Sequence, residues 1–210
     1  MTDVRENNQV TVTGTVLCAP KRSHIVYAEQ FYIFSLSVER LSDTRDVVNV
    51  LVSERLFSDD LPLTAGTCIT VQGQFRSYNN YSGIGSRLVL TVFAKDIACA
   101  QPESLKDPNR IFLDGFICKP PIYRMTPFGR EIADVLLAVN RAYNKSDYIP
   151  VIAWGRNARF CRDLTVGTRI RIWGRIQSRE YVKHMDTDTS VTKIAYEVSV
   201  GKLEIAENEA

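Results

Sequence analysis

The sequence predicts an all-β protein in which one small barrel-shaped domain occurs twice along the chain. The first observation is a repeat: between Gly14 and Ser77, 15 of 64 positions carry the same residue as the position 101 further on. That is about one in four, against roughly one in sixteen expected by chance at ordinary composition. The second observation is a series of short segments in which apolar and polar residues alternate, as in half-buried strands. The 210 residues therefore hold two units of ordinary domain size.

The second unit divides clearly into elements. A break at residues 118–121, a turn at 126–129 and a polar loop at 144–146 separate its first segments. The predicted strands are residues 110–117, 132–141, 148–154, 168–179 and 193–203. Asn157 is placed to cap a short helix that runs through Arg162. Five strands with a helix between the third and the fourth is the order of an oligonucleotide/oligosaccharide-binding (OB) barrel.

The first unit repeats this order. Its predicted strands are residues 9–17, 31–40, 47–53, 67–76 and 87–97, with a helix near Leu56–Leu61. A stretch that contains Pro102 and Pro108 separates the units. We therefore expect two tandem OB barrels with one short helix each. The predicted boundaries are 1–100 for the first barrel, 101–109 for the linker and 110–210 for the second barrel.

Composition excludes several classes of protein. No apolar run approaches the roughly 18 residues that a membrane span needs, and residues 1–10 lack a signal-peptide core. We therefore expect a cytoplasmic, nucleoid-associated protein with no membrane partner. The five cysteines are odd in number and never spaced as CxxC, which predicts reduced and mostly buried thiols. His24 and His184 have no cysteine nearby, so neither a metal nor a cofactor is predicted.

Charge is distributed unevenly between the units. The whole chain has a net charge of +2, but residues 1–105 hold 9 Lys/Arg against 11 Asp/Glu, and residues 106–210 hold 17 against 13. Within residues 110–185 the count is 14 against 6. This excess favours a polyanionic partner for the second unit. A solvated basic face is the alternative interpretation.

The predicted strand 168–179 carries the densest basic face. Alternation places Ile170, Ile172, Gly174 and Ile176 in the barrel and turns the residues between them outward. The outward residues are Arg169, Arg171, Trp173, Arg175, Gln177 and Arg179. Arginines that follow one strand face, with a tryptophan among them, suit phosphate tracking and base stacking. The alternative is a solvated face with Trp173 at a subunit contact.

The preceding strand adds aromatic residues. Ile149, Val151 and Ala153 supply its core face, so Tyr148 and Trp154 are predicted to point outward together with Pro150 and Ile152. Six residues of strand separate Tyr148 from Trp154 by about 20 Å, which is enough to engage more than one base. Packing in the core is the alternative role for these aromatic rings.

Taken in order, these segments resemble the bacterial single-stranded DNA-binding protein (SSB) family. The resemblance covers nearly all of residues 109–205 and keeps the family's spacing. It rests on the segments NRIFLDG at 109–115, YRMTPFG at 123–129, LAVNR at 137–141, YIPVIAWGR at 148–156 and GRIQSREY at 174–181. The ordered set is more specific than any one segment.

The resemblance implies two groups of DNA-binding residues. Those that stack on bases would be Tyr148, Trp154 and Tyr181. Those along the DNA backbone would be Arg124, Arg156 and Arg179. Trp173, Arg169, Arg171, Arg175 and Lys183 extend this predicted surface. The resemblance also implies a homodimer that presents four OB barrels.

Family members usually end in an acidic tail with a Pro-Phe tip that recruits replication partners. The sequence ends in EIAENEA, so we expect this tail to be absent. Replication or recombination proteins are still expected among the partners.

The first unit keeps the frame but loses this surface. Ser53 takes the place of Trp154, and Val47 takes the place of Tyr148. Arg76, Tyr78 and Tyr81 are the residues that suggest a weak second groove. We therefore expect the second unit to hold most of the affinity for DNA and the first to supply mainly assembly surface.

The leading hypothesis is a non-enzymatic, largely sequence-independent binder of single-stranded DNA that acts in replication, recombination or repair. The alternative is an assembly protein of a primosome, recombination or mobile-element system that binds DNA weakly. An enzyme is not predicted, because the sequence has no GxxxxGK[ST], HExxH or GxSxG motif. Asp134 and Asp147, the nearest candidates for a metal-binding pair, are better explained as structural residues.

Overall fold

A computed structural model describes residues 6–40, 42, 44–80, 88–186 and 189–206, of which 182–186 and 189–193 are described through their backbone alone. The first unit contains β1 (Asn8–Val16), β2 (Lys21–Val26), β3 (Glu29–Glu39), β4 (Arg45–Ser53), β5 (Cys68–Asn79) and β6 (Leu88–Cys99). The second contains β7 (Asn109–Ile117), β8 (Ile122–Met125), β9 (Glu131–Arg141), β10 (Lys145–Trp154), β11 (Arg169–Asp186) and β12 (Thr189–Ile205). One α-helix, α1 (Arg156–Arg162), follows β10.

Each unit is a closed five-stranded barrel with one added hairpin strand. In the first unit β1 pairs with both β3 and β5, β3 with β4, and β5 with β6, while β4 runs parallel to β6. The second unit repeats every one of these pairings with β7 and β9–β12. This connectivity confirms the predicted all-β fold of two tandem OB barrels.

The residues that the units share fill the two barrels. Leu36, Leu137 and Ile69 are fully buried, and Ile170 is 1% exposed. The shared glycines Gly14 and Gly115 lie where β1 and β7 pass close to the backbones of β3 and β9. A Cβ atom at Gly14 would collide with the carbonyl oxygen of Ser37. The sequence repeat therefore reflects a shared barrel core and a shared close approach of two strands.

An antiparallel pairing of β1 with β7 joins the barrels into one 12-stranded sheet. Val10 faces Ile111, which is its own equivalent 101 positions later. Asn8 faces Leu113, and Val12 faces Asn109, so the pairing is symmetric about this point. The two units are therefore related by a pseudo-two-fold axis, as the subunits of a symmetric dimer would be.

Two buried carboxylates complete the junction between the units. Asp46 accepts hydrogen bonds of 2.5 and 2.7 Å from Arg40 and one of 2.7 Å from the backbone N–H of Ser178 in the other unit. Its equivalent, Asp147, accepts one of 2.8 Å from the N–H of Ser77 and pairs with Arg76 at 3.1 Å. Both aspartates are inaccessible to solvent. Asp147 is thus structural, as the sequence indicated.

The helices and hairpins differ in part from the prediction. In the first unit a 3-10 helix (Glu54–Leu56) replaces the helix expected near 56–61, and Ser53 caps it by accepting from the N–H of Arg55. Asn157 does not cap α1, because Gly155 occupies the cap position and the Asn157 side chain donates to Gly201. The strands β2 and β8 were not predicted. Every residue of β2 is exposed, so no apolar alternation marks it.

The cysteines also depart from the prediction. Cys18, Cys68 and Cys99 are exposed, and Cys118 is half-buried, so only Cys161 is buried as expected. All three exposed thiols belong to the first unit. None of the helices in the described part of the chain is long and apolar enough to cross a membrane.

Candidate nucleic-acid interface

The outward face of β10 carries two aromatic residues, Tyr148 inside the strand and Trp154 at its end, with Pro150 and Ile152 between them. Ile149, Val151 and Ala153 are buried in the barrel, which confirms the predicted alternation. Tyr148 is 49% exposed, and Trp154 is half-buried. Ile152 faces outward between them but is nonetheless 95% covered. The two aromatic residues, rather than Ile152 between them, are therefore accessible.

Trp154 lines an open cavity beside the β8–β9 hairpin. Met125, Gly129, Arg130, Glu131 and Gly155 form the rest of its wall. The backbone N–H of Gly155 donates to the carbonyl of Glu131 at 2.9 Å, which fixes the hairpin against the end of β10. The cavity thus offers an indole ring and an exposed guanidinium on one surface.

The tip of that hairpin carries residues that sequence reasoning missed as binding candidates. Phe128 is 92% exposed in the turn, and Met125 and Arg130 are also exposed. A phenylalanine within a predicted turn was the available signal, since a turn residue has no core to fill. These side chains widen the surface around Trp154.

The arginines near this surface are accessible. Arg124 forms an ion pair with Asp134 at 2.9 Å, in which both side chains are largely exposed. Arg124 and Trp154 both pair with Ile132, from opposite sides, so the three residues form one row across neighbouring strands. Arg156 is exposed at the start of α1. Arg124 and Arg156 therefore occupy positions next to Trp154 in the sheet and in the chain.

The outward row of β11 is not one open surface. Ile170, Ile172 and Ile176 are buried, so the predicted alternation is correct. The row is interrupted, however, because the start of β4 lies against β11, where Asp46 pairs with Arg175 of the row. The N–H of Val47 donates to Ser178 Oγ at 2.9 Å.

The first part of the row is held by a buried carboxylate. Arg169 donates two hydrogen bonds to Asp114, at 2.8 and 3.0 Å, and Arg171 donates one at 3.1 Å. The Arg169 side chain is only 12% exposed. Their positive charges are therefore partly balanced within the protein.

Trp173 lies further along the same face. Its ring contacts that of Phe112 at a centroid distance of 5.1 Å, and the Lys202 ammonium lies 4.5 Å from its centroid. Arg110 and Lys202 line the groove around it.

The middle and the far part of the row differ in solvent exposure. Arg175 points to Asp46 of the other unit at 3.4 Å, and burial lowers the pKa of its guanidinium. Gln177 is buried and donates to Glu197 at 3.1 Å. Beyond the junction Arg179 is 54% exposed and lies 3.9 Å from Glu197, and Tyr181 is exposed. Lys183 pairs through its backbone with Val191, and its side chain lies outside the described residues.

The residues predicted to form a weak second groove, in the first unit, do not form one open surface either. Arg76 is largely buried, where it hydrogen-bonds to Gln74 and pairs with Asp147 of the second unit. Tyr78 is half-buried, and burial raises its pKa. Tyr81 lies outside the described residues.

The first unit has a different arrangement where the second has Trp154. Ser53 donates a short hydrogen bond to Glu29, and Arg55 pairs with the same carboxylate at 3.1 Å. Glu29 stands at the position of Arg130, so the charge there is reversed. Among the described residues no group of three or more His, Cys, Asp or Glu side chains is placed to hold a metal ion.

The fold and these surfaces define a protein of two OB barrels with an aromatic and basic face on one of them. The model of the single-strand binding protein family matches residues 108–204, the part of the chain that carries this face. The chain is 36% identical over 93 residues to the single-stranded DNA-binding protein of Clostridium tetani, an alignment that covers 41% of this chain and 64% of that protein. It is 30% identical over 96 residues to single-stranded DNA-binding protein B of Bacillus subtilis, covering 41% and 82%. The chain belongs to the single-strand binding protein family.

The similarity in three dimensions extends over both units. The crystal structure of the wild-type single-stranded DNA-binding protein from Thermus aquaticus superposes with a TM-score of 0.75, and the match covers 97% of this chain and 94% of that one. Sequence identity over this match is 20%, so the likeness concerns the fold. In sequence, the chain covers 64% of the C. tetani protein and 56% of B. subtilis protein A.

Proposed function

We propose that this protein binds single-stranded DNA with little dependence on sequence, and that the second unit provides most of the affinity. The observation that carries the proposal is the accessible pair Tyr148 and Trp154 on the outward face of β10, over a complete core on its other face. Unpaired bases stack on such rings whatever their identity, because every base has a π face.

Accessible arginines would contact the DNA backbone. Arg124, Arg156 and Arg179 are exposed, and Arg130 adds a fourth guanidinium beside Trp154. Arg169 and Arg171 share Asp114, and Arg76 and Arg175 each face a buried aspartate across the junction. We infer that the more exposed arginines supply the phosphate contacts and that the arginines held by buried aspartates mainly shape the scaffold.

We also propose that two chains associate, which would bring four barrels together around one strand of DNA. The exposed aromatic groove at Trp173 and the edge strands β2 and β8 offer uncovered surface for such a contact. Light scattering at micromolar concentration tests this point. A mass near 24 kDa, that of one 23.8 kDa chain, would refute it. Association with the nucleoid would follow from DNA binding.

Fluorescence titration tests the DNA-binding proposal directly. The chain has two tryptophans, so Trp173→Phe leaves Trp154 as the sole indole reporter. Oligo(dT) should quench this fluorescence, and the apparent affinity should fall steeply between low and moderate salt as counterions are released. Quenching with no salt dependence would exclude a phosphate-tracking surface. Weak binding at all salt concentrations would favour the alternative role as an assembly protein.

A further inference from the structure

The two ends of the 12-stranded sheet are hairpins whose tips carry an exposed aromatic ring. The order of strands places β2 at one edge and β8 at the other, and each pairs with the next strand of its barrel. Tyr27, in the β2–β3 turn, is 99% exposed, and Phe128, its equivalent 101 positions later, is 92% exposed. Neither ring fills a barrel core, so both are available to a ligand.

Hydrogen bonds within the turn close the β8–β9 tip, residues 125–130. The N–H of Thr126 donates to the carbonyl of Arg130 at 2.8 Å, and the N–H of Gly129 donates to the carbonyl of Thr126 at 2.9 Å. The N–H of Arg130 donates to Thr126 Oγ1 at 3.0 Å. Gly129 has a φ of 72°, a conformation that glycine adopts without steric cost. Phe128 therefore projects from a compact turn that is defined by its own hydrogen bonds.

Glu131 fixes the base of this hairpin to the barrel. Its carboxylate accepts from the Tyr123 hydroxyl at 2.6 Å and pairs with Arg159 of α1 at 2.9 Å. Its backbone carbonyl accepts from the N–H of Gly155, the residue after Trp154, at 2.9 Å. The β8–β9 tip is therefore held beside Trp154 by contacts from two other elements.

The β8–β9 tip is apolar at its end and basic at its sides. Met125 is 58% exposed, and Pro127 and Phe128 are exposed next to it. Arg124 and Arg130, on either side of the turn, are exposed as well. Phe, Met and Pro are among the residue types that proteins insert between base steps, and guanidinium groups pair with phosphates. This combination suits the end of a duplex, which offers one flat base pair with a phosphate backbone on each side.

The first unit has a ring in the same position but different neighbours. Glu29 stands where the second unit has Arg130, and Ser53 stands where it has Trp154. A DNA backbone beside Tyr27 would therefore meet a carboxylate, and the adjoining single strand would have no ring to stack on. The β2–β3 tip is thus a natural comparison for the β8–β9 tip.

We propose that the β8–β9 tip binds the end of a DNA duplex, so that the second unit recognises the boundary between single- and double-stranded DNA. The proposal rests on the proposed function, because it places the single strand on Trp154. The hairpin and Trp154 line one cavity, so the base pair that adjoins the first unpaired base comes within reach of the tip. Phe128 stacks on that base pair, and Arg124 and Arg130 contact its two backbones. The protein therefore prefers a single strand that adjoins a duplex over a free single strand.

Two kinds of substrate with the same single strand test this preference. One is free oligo(dT) of about 12 nucleotides, within the site size of one OB barrel. The other carries the same tail, on the 5′ or the 3′ side, on a short duplex closed by a loop. Anisotropy is measured with excess blunt duplex present, which competes for binding to duplex alone. The wild type should bind at least one tailed duplex about fivefold or more tightly than the free strand, the effect of one additional base stack. Equal affinity for the free strand and both tailed duplexes would overturn the proposal.

Phe128→Ala should remove the preference, so that the ratio of the two affinities falls close to one. The ratio is used because it cancels any loss that the variant causes on the single strand itself. Tyr27→Ala is the matched control, since it removes an equally exposed ring from the equivalent tip and should leave the ratio at the wild-type value. A wild-type ratio in Phe128→Ala, or an equal fall in both variants, would contradict the proposal.

Photocrosslinking locates the duplex end on the protein. In the tailed duplex, 5-iododeoxyuridine at the last paired position should crosslink to the peptide that contains Phe128. At the first unpaired position it should crosslink to the peptide that contains Trp154. The absence of the Phe128 crosslink from the paired position would refute this placement.

Trp154→Ala separates the proposal from the proposed function, because that variant should weaken binding of both substrates. If it does so while the wild type binds both substrates equally, single-stranded DNA binding stands and recognition of the duplex end does not. If the wild type binds neither substrate, the proposed function itself fails.

Discussion

The two units have the same interior but different exteriors. Leu36, Ile69 and Val71 recur in the second unit as Leu137, Ile170 and Ile172, and all six are buried. Outside the barrels the second unit carries Trp154, Tyr148 and Arg130, where the first carries Ser53, Val47 and Glu29. A barrel core tolerates little change in volume, whereas an exposed face can change freely unless a ligand constrains it. The comparison therefore isolates the residues that the fold does not require.

Arg55 shows how the first unit differs beyond the loss of single residues. It is equivalent to Arg156, so the guanidinium is kept, but it pairs with Glu29 at 3.1 Å. The same carboxylate accepts from Ser53, which stands where Trp154 would be. A glutamate at this place repels phosphate, and a serine offers no stacking surface. We therefore expect the matching site of the first unit to bind DNA poorly.

The junction, by contrast, keeps the same contact between a buried aspartate and a serine of the other unit on both sides. Asp46 and Asp147 are both inaccessible and each accepts a hydrogen bond from a serine N–H of the other unit. The outer faces of the two units do not share residues in this way. Substitutions can therefore perturb the packing of the two units and ligand binding separately.

The largest effect should come from breaking the junction. Asp46→Ala and Asp147→Ala should each lower the free energy of unfolding by about 3–5 kcal/mol, because each removes a buried carboxylate that neutralises two partly buried arginines and accepts a backbone N–H. Urea denaturation of the full chain measures this loss. Asp134→Ala is the control, since its ion pair with Arg124 is exposed and should contribute less than about 1 kcal/mol. Clearly unequal losses at Asp46 and Asp147 would mean that the pseudo-symmetry does not extend to energetics.

The next largest effect should be a difference in thiol reactivity between the exposed cysteines of the first unit and the buried cysteine of the second. Cys68 is exposed at the position equivalent to Arg169, whereas Cys161 is buried and desolvation raises its pKa to about 11. At pH 8 a thiol with that pKa is about one-thousandth thiolate, the reactive form. Iodoacetamide followed by peptide mapping should therefore modify Cys18, Cys68 and Cys99 at least about a hundredfold faster than Cys161. Comparable rates would show that the second barrel opens readily.

Substitution at the equivalent positions Trp154 and Ser53 compares the binding faces themselves. Trp154→Ala should cost about 1–3 kcal/mol in affinity for oligo(dT), as expected for one stacking residue. Ser53→Ala should change affinity little, because its hydroxyl is engaged with Glu29. Fluorescence anisotropy with labelled oligo(dT) measures both, and circular dichroism checks that each variant is folded. Equal losses would mean that the barrels share binding, contrary to the difference in their faces.

The sequence was sufficient for the fold because the repeat and the strand alternation both reflect the core. Ile170, Ile172 and Ile176 are buried as the pattern indicates. The strands β2 and β8 escaped prediction because they pair at the rim of a barrel without burying an alternating face. A helix of one turn, such as Glu54–Leu56, has too few residues to show a helical period.

The candidate site was predictable only in part. Alternation decides which way a side chain points, so Tyr148 and Trp154 could be assigned to the outward face of β10. It does not decide what lies above that face. The row from Arg169 to Arg179 points outward throughout, yet the other unit covers its middle and Asp114 holds its start. These are contacts between residues far apart in the chain, and no local pattern reveals them.

The smallest expected effect, a change in salt dependence, distinguishes the more exposed arginines from those held by a buried aspartate. The log–log slope of affinity against salt concentration should be shallower by about 0.7 in Arg179→Ala, since one phosphate contact on a single strand is lost. In Arg171→Ala the slope should stay close to that of the wild type, because Arg171 already donates to Asp114 at 3.1 Å. Affinity for oligo(dT) measured at four or more salt concentrations gives both slopes. A shallower slope in Arg171→Ala would show that DNA draws this arginine away from Asp114, and the phosphate path would then run along the whole of β11.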